Sequence, residues 1–324
     1  MDHTTRHSTQ ALLGSTLIVL GAVCFSAKSI FVKLAYARGA QVDAITLMTL
    51  RMLIALPFFL GVALWHHGDG TGNHSRRDWL ALAGLGVMGY YLASLLDFMG
   101  LAYISAGLER LILFLYPTFV VLLTALIHRR PIEGMQGLSL AVSYAGIALV
   151  YGAQATAASS DLTLGALLVL GSALAFAVYM TLSGHYIPRF GSRRFTAWSM
   201  SVACGVTIGH FLASRPLAIL AVPEDVLALA AALALISTVL PAFLVNAGIR
   251  RIGADRAAII ATVGPVSTLV LATLVLDETL TGLQIMGAAL VIGGVALASM
   301  RKTNDNRRDS TCLPGHVTNG KERL

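Results

Sequence analysis

The run YISAGLERLILFLYPTFVVLLTALI, residues 103–127, contains only two charged side chains, Glu109 and Arg110, among its 25 residues. About 20 mostly apolar residues are enough for an α-helix to cross the roughly 30 Å hydrocarbon core of a bilayer. The run is therefore predicted to cross a membrane as an α-helix, with both charges inside the bilayer.

Nine other segments of the chain are comparably long and apolar, and short polar linkers separate them. Because unpaired backbone groups are costly in lipid, each segment is predicted to be helical. The sequence thus predicts an all-α integral membrane protein with ten transmembrane helices. The ten predicted spans are residues 11–36, 43–65, 79–99, 103–127, 134–152, 162–183, 195–214, 223–246, 253–276 and 280–300.

The overall composition excludes a soluble fold. Hydrophobic residues make up 56% of the chain and charged residues only 12%, against roughly 25% charged residues in soluble domains. The mean hydropathy is +0.76. The net charge of +7 does not indicate nucleic-acid binding, because the cations lie in short loops and a tail rather than in a basic stripe with exposed aromatic residues.

The cations also predict an orientation. Most of the 23 Lys and Arg residues fall in alternate linkers and in the polar segment 301–324. Cytoplasmic loops are enriched in Lys and Arg, so both termini are predicted to be cytoplasmic. Residues 301–324 are predicted to form a disordered cytoplasmic tail. Short loops and the lack of a targeting extension favour a bacterial inner (plasma) membrane.

The chain resembles itself at an offset of 148 residues. Residues 100–149 match residues 248–297 without a gap, with about 13 identities in 50 positions. The loop charges are reversed between the copies, because the cations at 129–130 correspond to the acids at 277–278. A similar pattern with opposite charge bias is typical of inverted-topology repeats.

A unit with an odd number of helices inserts in opposite orientations when it is duplicated. We therefore expect a first five-helix repeat over residues 11–152 and a second over residues 162–300. Inverted repeats favour alternating access, since each half can adopt the conformation of the other. The repeat indicates a transporter.

Each half contains short motifs in a defined order. They are Leu50–Ala55 (LRMLIA), Ala102–Ala106 (AYISA) followed by Pro117, then Ala254, Pro265–Val266, Asp277–Leu280 (DETL) and Gly287–Ala288. Together they resemble the EamA family of the drug/metabolite transporter superfamily over about residues 11–300. The resemblance implies a substrate cavity between the two halves that opens alternately to each side, and the export or uptake of small metabolites such as amino acids.

Charged residues inside the predicted spans are the main candidates for a functional site, because each costs about 2.5–3.5 kcal/mol on insertion scales. One interpretation is that they pair with each other and hold the bundle together. The other follows from an excess of one cation, which an anion such as a substrate carboxylate would stabilise. An α-helix rises 1.5 Å per residue, which places all five residues in the outer half of the membrane. They are Lys28, Arg51, Asp97, Glu109 and Arg110.

Under the second interpretation, Lys28 is the first candidate to bind the carboxylate and Arg110 is the second. Glu109 or Asp97 could instead take and release a proton for coupling. Arg51 lies within LRMLIA, and we assign it a structural or gating role.

Two tyrosines and two prolines are further candidates. Tyr116 and Tyr179 are expected to line a cavity that accepts an aromatic or aliphatic side chain. Pro117 and Pro265 are predicted to lie at equivalent mid-helix positions. Each removes a backbone donor, which produces either a packing kink or a hinge beside the binding site.

The sequence thus favours a secondary transporter that exports an amino acid or related carboxylate. The expected partners are this small molecule and the lipid bilayer, and a homodimer is compatible with the pattern. Neither a metal nor a cofactor is expected, and no Walker A, HExxH, CxxC or GxSxG motif occurs. Two alternatives are an intramembrane enzyme, which would need a nucleophile–base pair or metal cluster, and a non-transporting scaffold or sensor.

Overall fold

The computed structural model describes residues 3–39, 42–65, 74–129, 134–155, 161–252, 257, 260–261 and 263–294. All regular secondary structure in these residues is helical. The predicted tail, residues 301–324, lies outside the described residues.

The α-helices are numbered here in chain order. Two long helical segments each contain a π-helical turn, Val87–Leu92 between α3 and α4 and Leu235–Val239 between α10 and α11. The helices are α1 His3–Ala37, α2 Ala44–Trp65, α3 Arg76–Gly86, α4 Ala93–Leu101, α5 Ala106–Leu113, α6 Tyr116–His128, α7 Gly134–Ala155, α8 Asp161–Phe190, α9 Ser192–Ser214, α10 Glu224–Ala234, α11 Leu240–Ile252, α12 Val263–Leu276 and α13 Gly282–Gly294.

Seven described helical segments are long and apolar enough to cross a membrane. Three shorter apolar helices, Leu140–Gly152, Val263–Leu276 and Gly282–Gly294, lie within three further predicted spans. The prediction of an all-α membrane protein is confirmed, whereas the count of ten crossings stays a prediction. The seven segments are Gln10–Ala37, Ala44–Trp65, Arg76–Leu101, Ala106–Ile127, Asp161–Phe190, Ser192–Ser214 and Glu224–Ile252.

Helices in the two halves of the chain begin at equivalent positions. α3 begins at Arg76 and α10 begins 148 residues later at Glu224, and each leads into a π-helical turn. Among the described residues, the non-glycine residues with a left-handed backbone are Arg129 (φ 50°) and Asp277 (φ 53°), which are also 148 residues apart. The offset found in the sequence therefore recurs in the backbone.

Among the described residues, three pairs of glycines bring helices of different halves into close contact, Gly14 with Gly248, Gly100 with Gly165 and Gly146 with Gly287. A Cβ atom on Gly248 would lie 3.0 Å from the carbonyl oxygen of Gly14, and one on Gly100 would lie 2.9 Å from that of Gly165. α1 consequently packs along α11, and α4 packs along α8. Small residues permit this approach of helix backbones within lipid.

The contacts also give the relative direction of α1 and α8. Lys28, toward the C-terminal end of α1, contacts Asp97, toward the C-terminal end of α4. Gly100, at the same end of α4, packs on Gly165 near the N-terminal end of α8. The end of α1 and the beginning of α8 therefore lie on the same side of the molecule, so these two helices run in opposite directions.

Candidate functional site

A buried charged cluster joins three helices of the first half. Lys28 Nζ on α1 donates to Asp97 Oδ2 on α4 at 2.5 Å and to Glu109 Oε1 on α5 at 3.1 Å. Ser29 Oγ, also on α1, donates to Glu109 Oε2 at 2.6 Å. All four side chains are buried. We call these four residues the Lys28 cluster.

The backbone around Ser105 fixes the start of the helix that carries Glu109 and Arg110. Ser105 is the N-cap of α5, and its side chain accepts a hydrogen bond from the Leu108 N–H at 3.1 Å. A capping hydroxyl satisfies one of the backbone donors left free at a helix start. α5 therefore begins at a defined residue, and its interior side chains, including Glu109 and Arg110, are fully or almost fully buried.

The predicted span 103–127 is divided into two half-helices. Phe114 and Leu115 form a turn between α5 and α6, and Pro117 lies in the first turn of α6. Proline is tolerated there because an N–H in the first turn has no acceptor within the helix. Pro117 thus follows a break rather than bending a continuous helix. Pro265 similarly lies in the first turn of α12, although the residues before this helix are only partly described.

Arg110 is a buried cation that no carboxylate of the described residues approaches within ion-pair distance. Its Nε has no hydrogen-bond partner. The guanidinium carbon lies 4.9 Å from the centre of the Phe25 ring on α1. A Cβ atom on Gly264 would lie 2.8 Å from Arg110 Nη2. The guanidinium therefore lies between α1 of the first half and the first turn of α12 of the second half.

Arg51 occupies a separate environment. Its guanidinium carbon lies 4.7 Å from the centre of the Phe98 ring, and its Nε has no hydrogen-bond partner. The next residue, Met52, contacts the thiol of Cys204 on α9. This location, where α2 packs along α9, fits the structural or gating role predicted for Arg51, which remains a prediction.

The five predicted charges are thus divided unequally. Asp97 and Glu109 share the single ammonium of Lys28, and neither arginine has a carboxylate partner among the described residues. A buried cation without a direct ion-pair partner is destabilising, because the more distant charges of Glu109 and Asp97 offset the desolvation of Arg110 only in part. A planar guanidinium binds a carboxylate with two parallel hydrogen bonds. The arrangement can therefore accept an anion at Arg110 more readily than at Lys28, which already has two carboxylate partners.

A row of aromatic side chains extends from Arg110. Tyr116, close enough to Arg110 to interact electrostatically, packs edge-on against Phe176 with 5.1 Å between ring centres. Phe176 stacks with Tyr179 at 5.8 Å. The hydroxyl of Tyr179 is hydrogen-bonded to that of Tyr90 at 3.0 Å. The structure thus brings Tyr116 and Tyr179 together, and Tyr179 is buried. We call Tyr116, Phe176, Tyr179 and Tyr90 the aromatic surface.

In the described part of the chain, three ion pairs connect the two halves near the helix ends. On the side where α1 ends, Arg38 pairs with Asp225 at 3.1 Å. On the side where α8 ends, Arg189 pairs with Asp78 at 2.7 Å. Arg38 and Arg189 are at corresponding places in α1 and α8, so one pair is the counterpart of the other on opposite sides of the molecule. The charge pattern did not reveal these pairs, although an alignment of α1 with α8 would have matched the two arginines.

The third pair links the loop before α2 to the end of α9. Arg215 Nη2 lies 2.6 Å from Asp43 Oδ2. Partial burial acts to raise the pKa of the Asp43 carboxyl, but hydrogen bonds from Thr46 and the nearby Arg215 guanidinium hold that pKa below its ordinary value. Exposed pairs of this kind contribute about 0–1 kcal/mol each, so they can form and break during a conformational change.

Two cavities lie away from the Lys28 cluster. One, of about 360 Å³, lies between α5 and residues 277–280. The other, of about 300 Å³, lies between α2, α9 and α11 and includes Arg193 and Arg250 in its lining. No group of three or more His, Cys, Asp or Glu side chains in the described part of the chain could hold a metal ion.

Comparison with known proteins identifies similar transporters. The profile of the EamA-like transporter family matches residues 12–152 and 163–300. The chain is 33% identical over 307 residues to the protein named uncharacterized transporter YcbK of Bacillus subtilis, covering 93% of this chain and 97% of that protein. It is 25% identical over 319 residues to the protein named uncharacterized transporter sll1319 of Synechocystis, covering 90% and 95% of the two chains.

One solved crystal structure has a similar fold. It aligns with a TM-score of 0.60 and 17% sequence identity, covering 92% of this chain and 98% of the other. At this identity the likeness concerns the fold alone.

Proposed function

From the premise that this chain belongs to the EamA-like transporter family and is a membrane transporter, we propose that it moves a small organic carboxylate by alternating access. An amino acid or related metabolite is the proposed substrate, and export from the cytoplasm is the proposed direction. The relatives' names indicate transporters rather than enzymes.

The observation that carries the substrate class is the guanidinium of Arg110, which has no carboxylate within ion-pair distance among the described residues. It is buried between the two halves, with Phe25 on one side and Gly264 on the other. We assign the substrate carboxylate to Arg110 and the remainder of the substrate to the aromatic surface that includes Tyr116 and Tyr179. The desolvation of the guanidinium destabilises the substrate-free protein. A bound carboxylate offsets that destabilisation, which favours binding.

The Lys28 cluster has a different role in this proposal. Lys28 holds two carboxylates together, and a substrate carboxylate reaches its ammonium only by displacing Asp97 or Glu109. Protonation of either acid would release one of these bonds. The cluster is therefore proposed to take and release a proton as the transporter changes conformation.

Alternating access is supported by the correspondence between the halves. We propose that residues 11–152 and 162–300 form two five-helix repeats of inverted topology, which together supply ten membrane crossings. The pairs Arg38–Asp225 and Arg189–Asp78 close opposite sides of the molecule between the halves. The cation distribution supports cytoplasmic termini in a bacterial inner membrane.

Flux measurements in proteoliposomes test the proposal. Radiolabelled amino acids and their decarboxylated amines would be compared as substrates of wild type, Arg110→Gln and the matched exposed variant Arg76→Gln. We expect carboxylate uptake by wild type and Arg76→Gln, little uptake by Arg110→Gln, and no uptake of the amines. Wild-type carboxylate flux through Arg110→Gln would show that Arg110 does not bind the substrate.

A further inference from the structure

The carboxylate of Glu278 is bound to the beginning of α5. Its Oε1 accepts a hydrogen bond from the Ala106 N–H at 2.9 Å, and its Oε2 accepts one from the Gly107 N–H at 3.3 Å. These N–H groups are among the helix-start donors that have no acceptor within the helix. The positive end of the helix dipole adds to the attraction for a carboxylate. Glu278 belongs to the second half of the chain, so the contact joins the two halves.

A short turn places Glu278 at this position. Asp277 has a left-handed backbone (φ 53°) immediately after α12, and the Glu278 N–H donates to the Ala272 carbonyl at 3.2 Å. Residues 277–281 form no regular secondary structure. Glu278 is therefore fixed at two places: its side chain is bonded to α5, and its backbone N–H is bonded to the end of α12.

The contact lies beside open space. The cavity of about 360 Å³ is lined by residues of both partners, including Ser105, Gly107, Leu111, Glu278 and Gln284. Glu278 can leave the helix start without displacing packed side chains, and water can replace it there. This differs from the Lys28 cluster, where the carboxylates are buried.

The element that Glu278 holds is the one that carries the charged site. α5 is eight residues long, and a two-residue turn separates it from α6. Glu109 lies in the first turn of α5 and Arg110 in its last turn. On the α1 side, Lys33 is close enough to both Glu278 and Glu109 to interact electrostatically with them.

We propose that Glu278 is a positioning residue that latches α5 to the second half, and that its release from the Ala106 and Gly107 N–H groups opens this side of the molecule toward Arg110. The inference rests on the proposed alternating access. It adds to that proposal a specific contact that must break in each cycle. Glu278 acts through α5 and does not touch the substrate.

Thiol accessibility tests the latch without knowledge of the substrate. Leu111 lines the cavity and is fully buried, so the variant Leu111→Cys, made in a chain whose three native cysteines are replaced by alanine, reports opening. A membrane-impermeant maleimide is applied to proteoliposomes of defined orientation. Loss of a helix-capping side chain is expected to raise the labelling rate about 2- to 30-fold in Glu278→Ala. The matched control Asp277→Asn removes a neighbouring charge that no described hydrogen bond or ion pair joins to α5, and it should leave the rate within about twofold of wild type.

The outcomes separate the latch from the transport proposal. Faster labelling in Glu278→Ala than in Asp277→Asn supports the latch even when no carboxylate flux is found. Equal labelling in the two variants overturns the latch even when carboxylate flux is present. Glu278→Gln keeps one acceptor oxygen, so it should give an intermediate rate, and it replaces Glu278→Ala if that variant does not fold. In flux assays, Glu278→Gln should change Vmax more than KM, because substrate contacts at Arg110 are unchanged.

Discussion

Replacing Arg110 with methionine should stabilise the substrate-free protein while it abolishes transport. An arginine within a transmembrane helix costs about 2.5–3.5 kcal/mol on insertion scales. Two described interactions of Arg110 compensate for this: the face of Phe25 at 4.9 Å, a cation–π contact of the kind that contributes about 0.5–2 kcal/mol, and the longer-range attraction of Glu109 and Asp97. Methionine has a similar length and no charge. The free energy of unfolding is therefore expected to rise in Arg110→Met, by at most about 3 kcal/mol.

The matched variant Lys28→Met should have the opposite effect. Lys28 is the shared partner of Asp97 and Glu109, and removal of one member of a buried ion pair typically costs about 3–5 kcal/mol. The two variants remove one positive charge each from the same region, so their difference isolates the effect of pairing.

Thermal unfolding in detergent, followed by circular dichroism, measures both effects. A change of 1 kcal/mol corresponds to about 2–4 °C in domains of 150–250 residues. We expect a higher Tm for Arg110→Met and a much lower Tm for Lys28→Met. If Arg110→Met lowers the Tm as strongly as Lys28→Met does, Arg110 belongs to a structural network, and its assignment to the substrate is wrong.

Two further predictions concern the contacts between the halves. Gly100→Val would place a side chain 2.9 Å or less from the opposing helix and should cost about 1–3 kcal/mol of stability in the same unfolding assay, whereas Gly61→Val, which meets nothing within 4 Å, should cost almost nothing. Arg38→Gln should increase, and Arg189→Gln decrease, maleimide labelling of the thiol introduced by Leu111→Cys, because the two ion pairs close opposite sides. Each change should stay below about fivefold, since exposed pairs contribute at most about 1 kcal/mol. Changes in the same direction would contradict opposed closure.

Helix type and approximate position were predictable from the sequence. A bilayer allows few backbone solutions, so apolar length alone identifies most spans. The break at Phe114 and Leu115 was not predictable, because both residues are apolar and fit a continuous helix equally well. Pro117 predicted a bend, but a proline is compatible both with a kink inside a helix and with the first turn of a new helix.

The candidate charges were predictable, whereas their partners were not. Lys28, Asp97 and Glu109 are recognisable because charged residues are rare within spans, yet the sequence allowed Asp97 to pair with either Lys28 or Arg51. That choice depends on which helix faces are in contact. Arg51 instead lies over Phe98, and Arg110 lies over Phe25. The role of Glu278 was also hidden, because its partners are backbone N–H groups that have no sequence signature.

The sequence by itself determined that this chain is a helical membrane protein, that it is internally repeated, and which few charges it carries into the bilayer. These properties depend on composition and on spacing along the chain. An apolar segment of sufficient length forms a helix in the bilayer whatever the rest of the chain does. The tertiary structure alone decided that Lys28 holds both acids, that Arg110 has no carboxylate partner among the described residues, and that Glu278 binds the beginning of α5. Such pairings are set by the rotation and closest approach of helices far apart in sequence, which close contacts such as those at Gly100 and Gly248 control.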